Sequence, residues 1–248
     1  MTYFLHDAPL ESGARVELRG EEAHHLLRVR RVRVGERFAL QDPQGRRFEA
    51  ELLAAERHGA SVTILAPLPV PPAPPLRVTL LQAAVKDKAA ELLIEKCTEL
   101  GVAALCFFPA ARSIVAHAAL AGEKTRARWQ RMALEACKQS DRQFPPAIAV
   151  ARDLSAALAA HPAGATAGAD PALGWVLDPG AERTAAGTLR GVAPAALHVL
   201  IGPEGGLTGD EVAAATAAGY APVRLGGTIL RAETAALAAC ALALLGTA

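Results

Sequence analysis

Several common signals are missing from this chain, and each absence closes a class of function. Cysteine is scarce: the four present, Cys97, Cys106, Cys137 and Cys240, show no C-x-x-C spacing and lie mostly in apolar segments. They read as reduced core thiols of a cytoplasmic protein, not as zinc ligands or bridges. His117, His161 and His198 stand at no metal-ligand spacing from cysteines or carboxylates, so no metal is expected. No apolar run reaches the roughly 20 residues of a membrane span. The charge-free stretch from Thr234 to Ala248 comes nearest and reads as a buried or dimer-facing helix. Asp7 and Glu11 interrupt the start of the chain before any long apolar run, so no signal peptide is expected.

Net charge is also nearly absent, at +1, but the balance is uneven. Lys and Arg against Asp and Glu number 10 and 10 in residues 1–66, 11 and 7 in 76–150, and 5 and 8 in 151–248. Any nucleic-acid surface must therefore be a local patch. Arginine outnumbers lysine 21 to 5, which suits planar phosphate and base contacts, although codon bias yields the same ratio. With 248 residues, 52% of them hydrophobic, the chain can bury a substantial core in one or two domains.

What is present is concentrated between residues 198 and 237. HVLI-GPEGG-LTGDEV reads as a short buried strand from His198 to Ile201, a glycine-rich turn, and a helix opened by Thr208 and Glu211 at capping-box spacing. A second unit of the same kind follows: a strand over Val223 to Leu225, the turn Gly226-Gly227, a loop from Thr228 to Arg231, and a C-terminal helix from about Ala232. Each turn follows a strand's carboxyl end, where open α/β sheets place ligands. Leu207-Thr208 stands where a P-loop requires Lys-Ser or Lys-Thr, and the G-x-G-x-x-G spacing is absent. Recognition must then rest largely on backbone N–H and C=O groups, which suits a neutral heterocycle better than a triphosphate. A lone turn of this kind is more often only a tight connection; two in succession, ending in Arg231 and Glu233, favour a site.

These two units, together with KDKAAELLIEKCTELGV (86–102), EACKQSDR (135–142) and HHLLRVRRVRVGE (24–36), resemble the 16S ribosomal RNA uridine-N3 methyltransferases of the SPOUT superfamily over nearly the whole chain. Two positions depart from the family pattern: Thr228 stands where an arginine is usual, and Arg30 where the family tends to be apolar. The resemblance implies an α/β fold with a mostly parallel sheet and a C-terminal trefoil knot. It implies that the loops after Leu177, Ile201 and Leu225 meet around S-adenosylmethionine. The cofactor-binding residues would be Leu177, Leu200, Gly202, Pro203, Glu204, Gly205, Leu225, Gly226, Ile229, Leu230 and Arg231. It further implies a homodimer formed through the knotted domain and, as partner, 16S rRNA of the small ribosomal subunit.

Domain organisation is set by PLPVPPAPP, residues 67–75, a stiff spacer of polyproline character. Before it, in residues 1–70, RFALQD, the PQG turn, RRFEAELLAAE and SVTILAPL read as short strands with hairpin punctuation, and a small helix falls near Glu21 to Leu27. These predict a small β-barrel, PUA-like and RNA-binding by the resemblance. After it, in residues 76–248, strands alternate with helices: LRVTLLQAAV, a helix over Asp87 to Leu100 stopped by Gly101, VAALCFF, a long helix over Lys124 to Asp141, AIAV, a short helix over Leu154 to Ala160, and GWVLD. Such βα repeats predict a mostly parallel sheet covered on both faces; periodicity alone carries no knot.

Uracil N3 is a poor nucleophile while protonated, so a cation near its carbonyl oxygens or a base near N3 accelerates methyl transfer. Arg231 is the candidate cation and Glu233 the candidate base; the competing reading pairs Arg231 with Glu233 or Glu204 as an ion pair pinning the loops. Arg28, Arg30, Arg31 and Arg33 alternate with Val29 and Val32, so on a strand or strand-like turn they are candidate RNA contacts. Arg112 and Arg142, near element ends in the basic middle segment, are candidate RNA or partner-subunit contacts, with capping as the alternative. His25 reads as a packed histidine. The alternatives to uridine-N3 methylation are a SPOUT methyltransferase with another RNA target, a non-catalytic RNA-binding ribosome assembly factor, and a nucleotide-binding regulator.

Overall fold

The structure is a computed structural model that describes residues 3–56, 59–164 and 172–246. The chain divides into two compact units, Met1–Pro72 with Cys137–Phe144, and Ala73–Ala136 with Pro145–Ala248.

The first unit is built on β1 (Tyr3–Leu5), β2 (Arg15–Arg19), β3 (Arg37–Gln41), β4 (Arg47–Ala55) and β5 (Gly59–Leu68), with α1 (Gly20–His24) running into a π-helical turn over His25–Val29. The sheet order is β1-β3-β4-β5-β2, parallel only at β1–β3. The expected barrel is a curled five-stranded sheet whose edge strands β1 and β2 are not paired with each other among the described residues. Along β4 and β5, Ala50, Leu52, Val62 and Ile64 are buried in one core with Phe4, Leu18, Leu26 and Leu40. Arg47 is buried too. Its Nε donates to Gln41 Oε1 at 2.8 Å, its Nη2 to the carbonyls of Asp141 and Arg142 at 3.0 and 3.1 Å, and its Nη1 pairs with the Asp141 carboxylate. The guanidinium also lies 4.0 Å from the Tyr3 ring centre.

Of the strand or strand-like turn expected around Arg28 to Arg33, no strand forms and the segment continues a helical turn. Arg30 N–H donates to His25 O at 2.9 Å and Val32 N–H to Leu26 O at 3.1 Å, prolonging the wide helical turn, and Arg31 adopts a left-handed backbone with φ 53°. His25 packs edge-on against Phe4, with ring centres 5.4 Å apart.

The second unit contains β6 (Arg77–Ala83), α2 (Asp87–Leu100), β7 (Ala104–Phe108), α3 (His117–Ala121), α4 (Glu123–Ser140), β8 (Ala147–Val150), α5 (Leu154–Ala160), β9 (Ala172–Leu177), α6 (Ala185–Leu189), β10 (Ala196–Ile201), α7 (Gly209–Ala217), β11 (Tyr220–Val223) and α8 (Ala232–Leu245). Its six-stranded sheet has the order β11-β9-β10-β6-β7-β8 and is parallel throughout. Strand side chains alternate between two cores. Val78, Leu80, Val199 and Ile201 pack with α2 and α8 on one face, while Leu81, Ala83 and Leu200 pack with α5, α7 and Tyr220 on the other. Both faces are dry, which is why these strands read as near-continuous apolar runs.

α2 ends where glycine makes ending possible: Gly101 takes φ 93° and donates back to Thr98 O. The predicted long helix starts at Glu123 instead of Lys124, after the separate short α3. The strand expected over Val223 to Leu225 is Tyr220–Val223 instead. Pro222 lies inside it, which an edge strand tolerates.

Candidate active site

β9, β10 and β11 are neighbours, so the loops that leave their carboxyl ends meet in one place. There they enclose a cavity of about 890 Å³ lined by residues 177–179, 201–207 and 224–226 with 228–233, and closed on a further side by the start of α2. Ligand sites span roughly 300–1,000 Å³, so this one lies in the upper part of the range.

The glycine-rich turn after β10 is braced from behind. Pro203 O accepts from Gly206 N–H at 2.8 Å, and Gly206 has φ 71°. Arg112 Nη1 donates to Gly205 O at 3.0 Å. Gln82, fully buried at the end of β6, donates from Nε2 to Ala83 O at 3.0 Å and Gly202 O at 3.2 Å. Those two carbonyls fix the orientation of the amide, and its Oε1 meets no donor among the described residues. Thr208 and Glu211 form the expected capping box, and Glu211 also accepts from Ala111 N–H at 2.8 Å. One carboxylate thereby joins the loop after β7 to the start of α7.

The glycines differ in purpose. A Cβ on Gly202 would lie 2.9 Å from Leu207 N, so the turn itself needs glycine there. A Cβ on Gly205 would face Arg112 Cβ at 3.3 Å, whereas Gly226 and Gly227 look into open space. The second turn, not Gly205, leaves the clearance a ligand can fill.

Of the residues expected at a cofactor site, Leu177, Gly202, Pro203, Glu204, Gly205, Leu225, Gly226, Ile229, Leu230 and Arg231 line the cavity, and Glu233 joins them. Leu200 does not: its side chain is fully buried in the core on the other face of the sheet. Arg231 precedes α8 as its N-cap residue and Glu233 lies in the first turn. The ion pair considered between Arg231 and Glu204 or Glu233 is not formed among the described residues.

The candidate RNA contacts fall apart into groups. Arg28, Arg30, Arg31 and Arg33 are exposed on the first unit. Arg112 belongs to the second unit, where its guanidinium binds the glycine turn. Arg142 is counted with the first unit, its carbonyl accepting from Tyr3 Oη at 2.6 Å, and burial lowers its pKa. Sequence reasoning missed Lys86, Lys88, Asp178 and Arg224, which also line the cavity. The rule applied to β10 and β11 applies equally to β6 and β9, whose carboxyl ends deliver Lys86 and Asp178.

Residues 72–244 match the family model of an RNA methyltransferase domain, and residues 18–65 match that of an RNA methyltransferase PUA domain. Ribosomal RNA small subunit methyltransferase E of Mycobacterium bovis is 34% identical over 240 residues, which cover 96% of this chain and 89% of that protein. The chain belongs to the ribosomal RNA small subunit methyltransferase E family. A methyltransferase E from Neisseria gonorrhoeae, solved bound to S-adenosyl methionine, is 32% identical, with a TM-score of 0.81 and coverage of 97% of this chain and 95% of that one. A methyltransferase from Legionella pneumophila, in complex with the same cofactor, is 26% identical, with a TM-score of 0.84 and coverage of 99% and 97%.

Proposed function

We propose that this chain transfers a methyl group from S-adenosylmethionine to N3 of a uridine in 16S rRNA of the small ribosomal subunit. The observation that carries the reading is the cavity at three adjacent strand ends, walled by two glycine turns and leaving clearance at Gly226. Its residues suit the donor. Leu177, Leu225 and Leu230 offer apolar walls to an adenine, the turns offer backbone groups, and Asp178, Glu204 and Glu233 offer carboxylates to a cationic ligand. When bound, S-adenosylmethionine supplies an electrophilic methyl on a sulfonium, the C–S electron pair staying on sulfur as N3 forms the new bond.

Arg231 sits at the mouth of α8 with no ion-pair partner among the described residues, free to face a uracil carbonyl oxygen as negative charge develops. Glu233, in the first turn of the same helix, takes the N3 proton and passes it to solvent. Holding the reacting atoms in line supplies the rest of the acceleration. Because N3 lies on the pairing edge, the target base enters unpaired.

The same reading assigns residues 1–70 to RNA binding, with Arg28, Arg30, Arg31 and Arg33 as phosphate contacts, and residues 76–248 to catalysis, with the C-terminal segment threaded as a trefoil knot. It places the protein in the cytoplasm as a homodimer, which the exposed side chains of Ile114, Ile229 and Leu245 support. No described helix is long and apolar enough to cross a membrane.

Mass spectrometry of nucleosides from 16S rRNA of a strain lacking the gene tests the reading: N3-methyluridine should disappear and return with the intact gene. Loss of a ribose methyl or of a transfer RNA modification would redirect the enzyme to another target. Calorimetry showing no S-adenosylmethionine binding would favour an assembly factor.

A further inference from the structure

The wall of the cavity built by α2 differs from the others. The loops after β9, β10 and β11 bring charges of both signs, Asp178, Glu204 and Glu233 against Arg224 and Arg231. The α2 wall brings Lys86, Lys88, Ala89 and Leu92, so its only charges are two ammonium groups. Neutralising acids exist on the same helix but are turned elsewhere. Arg128 Nη1 pairs with Glu91 at 2.7 Å, and its Nη2 lies 3.9 Å from Asp87. Lys96, by contrast, is held by Glu95 and Glu99 at 2.7 and 2.8 Å. Lys86 and Lys88 are exposed, and neither enters an ion pair among the described residues. Their charges add to that of the helix start, where Lys86 is an N-cap residue whose side chain caps nothing.

This wall is poorly suited to the methyl donor, whose sulfonium and ammonium outnumber its one carboxylate. It suits an anion that shares the cavity with that donor. We propose that Lys86 and Lys88 form the phosphate subsite of the acceptor strand, binding the backbone phosphates that flank the target nucleotide while the base reaches toward Arg231. The inference rests on the methyltransferase reading and adds to it a substrate grip within the catalytic unit, separate from the arginines of the first unit. Phosphate contacts position a strand without reading its sequence, so the pair sets how deeply the strand enters.

The test uses the full chain, a fluorescent single-stranded oligoribonucleotide carrying uridine, and the double variant Lys86→Ala/Lys88→Ala, with Lys96→Ala as the paired-lysine control. Anisotropy should show RNA affinity falling about tenfold for the double variant at moderate salt. The slope of log affinity against log salt should become shallower by about 1.4, two contacts at roughly 0.7 each on a single strand. S-adenosylmethionine affinity by calorimetry should stay within about twofold of the parent. Lys86→Arg/Lys88→Arg should restore binding, and the control should match the parent. Unchanged RNA affinity and salt slope would overturn the proposal, and so would a weakened donor with intact RNA binding, which would hand the lysines to the donor's carboxylate. If the parent protein transfers no methyl group, the functional reading fails on its own, while the salt slope still decides whether the lysines hold phosphate.

Discussion

Arg112 Nη1 donates to the carbonyl oxygen of Gly205 at 3.0 Å, so a side chain from the loop after β7 fixes a peptide in the turn after β10. A residue that the sequence suggested for RNA thus acts through the turn. Its guanidinium is exposed, which limits the bond to about 1 kcal/mol, less than a buried charged hydrogen bond. Arg112→Ala should weaken S-adenosylmethionine binding by about fivefold, with RNA affinity and melting temperature nearly unchanged. Calorimetry with the donor and anisotropy with RNA separate the two roles; the opposite pattern would return Arg112 to the RNA.

The open space beside Gly226 makes it the sharper probe of the cavity. Gly226→Val adds a side chain whose Cβ meets no protein atom within 4 Å. It should lower donor affinity at least about tenfold and shift stability by no more than about 0.5 kcal/mol. Gly205→Val would press on Arg112 instead and should act more weakly. Donor titration of the two variants checks the order.

Stability of the first unit depends on Arg47. Arg47→Met removes the guanidinium's hydrogen bonds to the carbonyls of Asp141 and Arg142 and its pairing with the Asp141 carboxylate, whose side chain is 34% exposed and can rehydrate. A loss of about 2–3 kcal/mol is expected, at the lower end for a broken buried pair. Arg47→Lys should recover little of it, because one ammonium cannot replace the fork. Urea unfolding measures both.

Acidification should destabilise the second unit through His161 and His198. Their rings meet edge-on, centres 5.6 Å apart, and His198 Nδ1 lies 3.1 Å from His161 O. Burial lowers both pKa values from the ordinary 6.5, with the neighbouring His161 charge adding to the effect on His198. The unfolded chain therefore binds protons more readily. The pair costs nothing above pH 6.5 and increasingly more as the pH falls below it, levelling off beneath the lowered folded values. His198→Asn should flatten the fall in urea midpoint with pH; an unaltered slope would assign the effect elsewhere.

Much of this could be read from residues. α2 over Asp87–Leu100, α5 over Leu154–Ala160 and the capping box at Thr208 and Glu211 stand where periodicity and cap chemistry put them, because local signals agreed with burial. The segment around Arg28 to Arg33 was legible only in part, since alternating arginine and valine fits a strand or a strand-like turn, while the buried Leu26 sits in a helical one. Leu200 misled for another reason. Its place in sequence beside the turn says nothing of which face its side chain takes, and one step along a strand reverses the face. Arg112 and Gln82 were unreadable as braces because each meets the glycine turn only across a parallel sheet, about a hundred residues away in sequence for both.

Strand order also dictates a sequence of events. β6 sits at the centre of its sheet between β7 and β10, so the first half of the unit can assemble as β6, β7 and β8 while one flank of β6 stays bare. That flank is covered only by residues 196–201, late in the chain. A nascent or truncated protein lacking them exposes an apolar strand edge prone to association, and the closure that buries it also sets the glycine turn of residues 202–206 as one wall of the cavity.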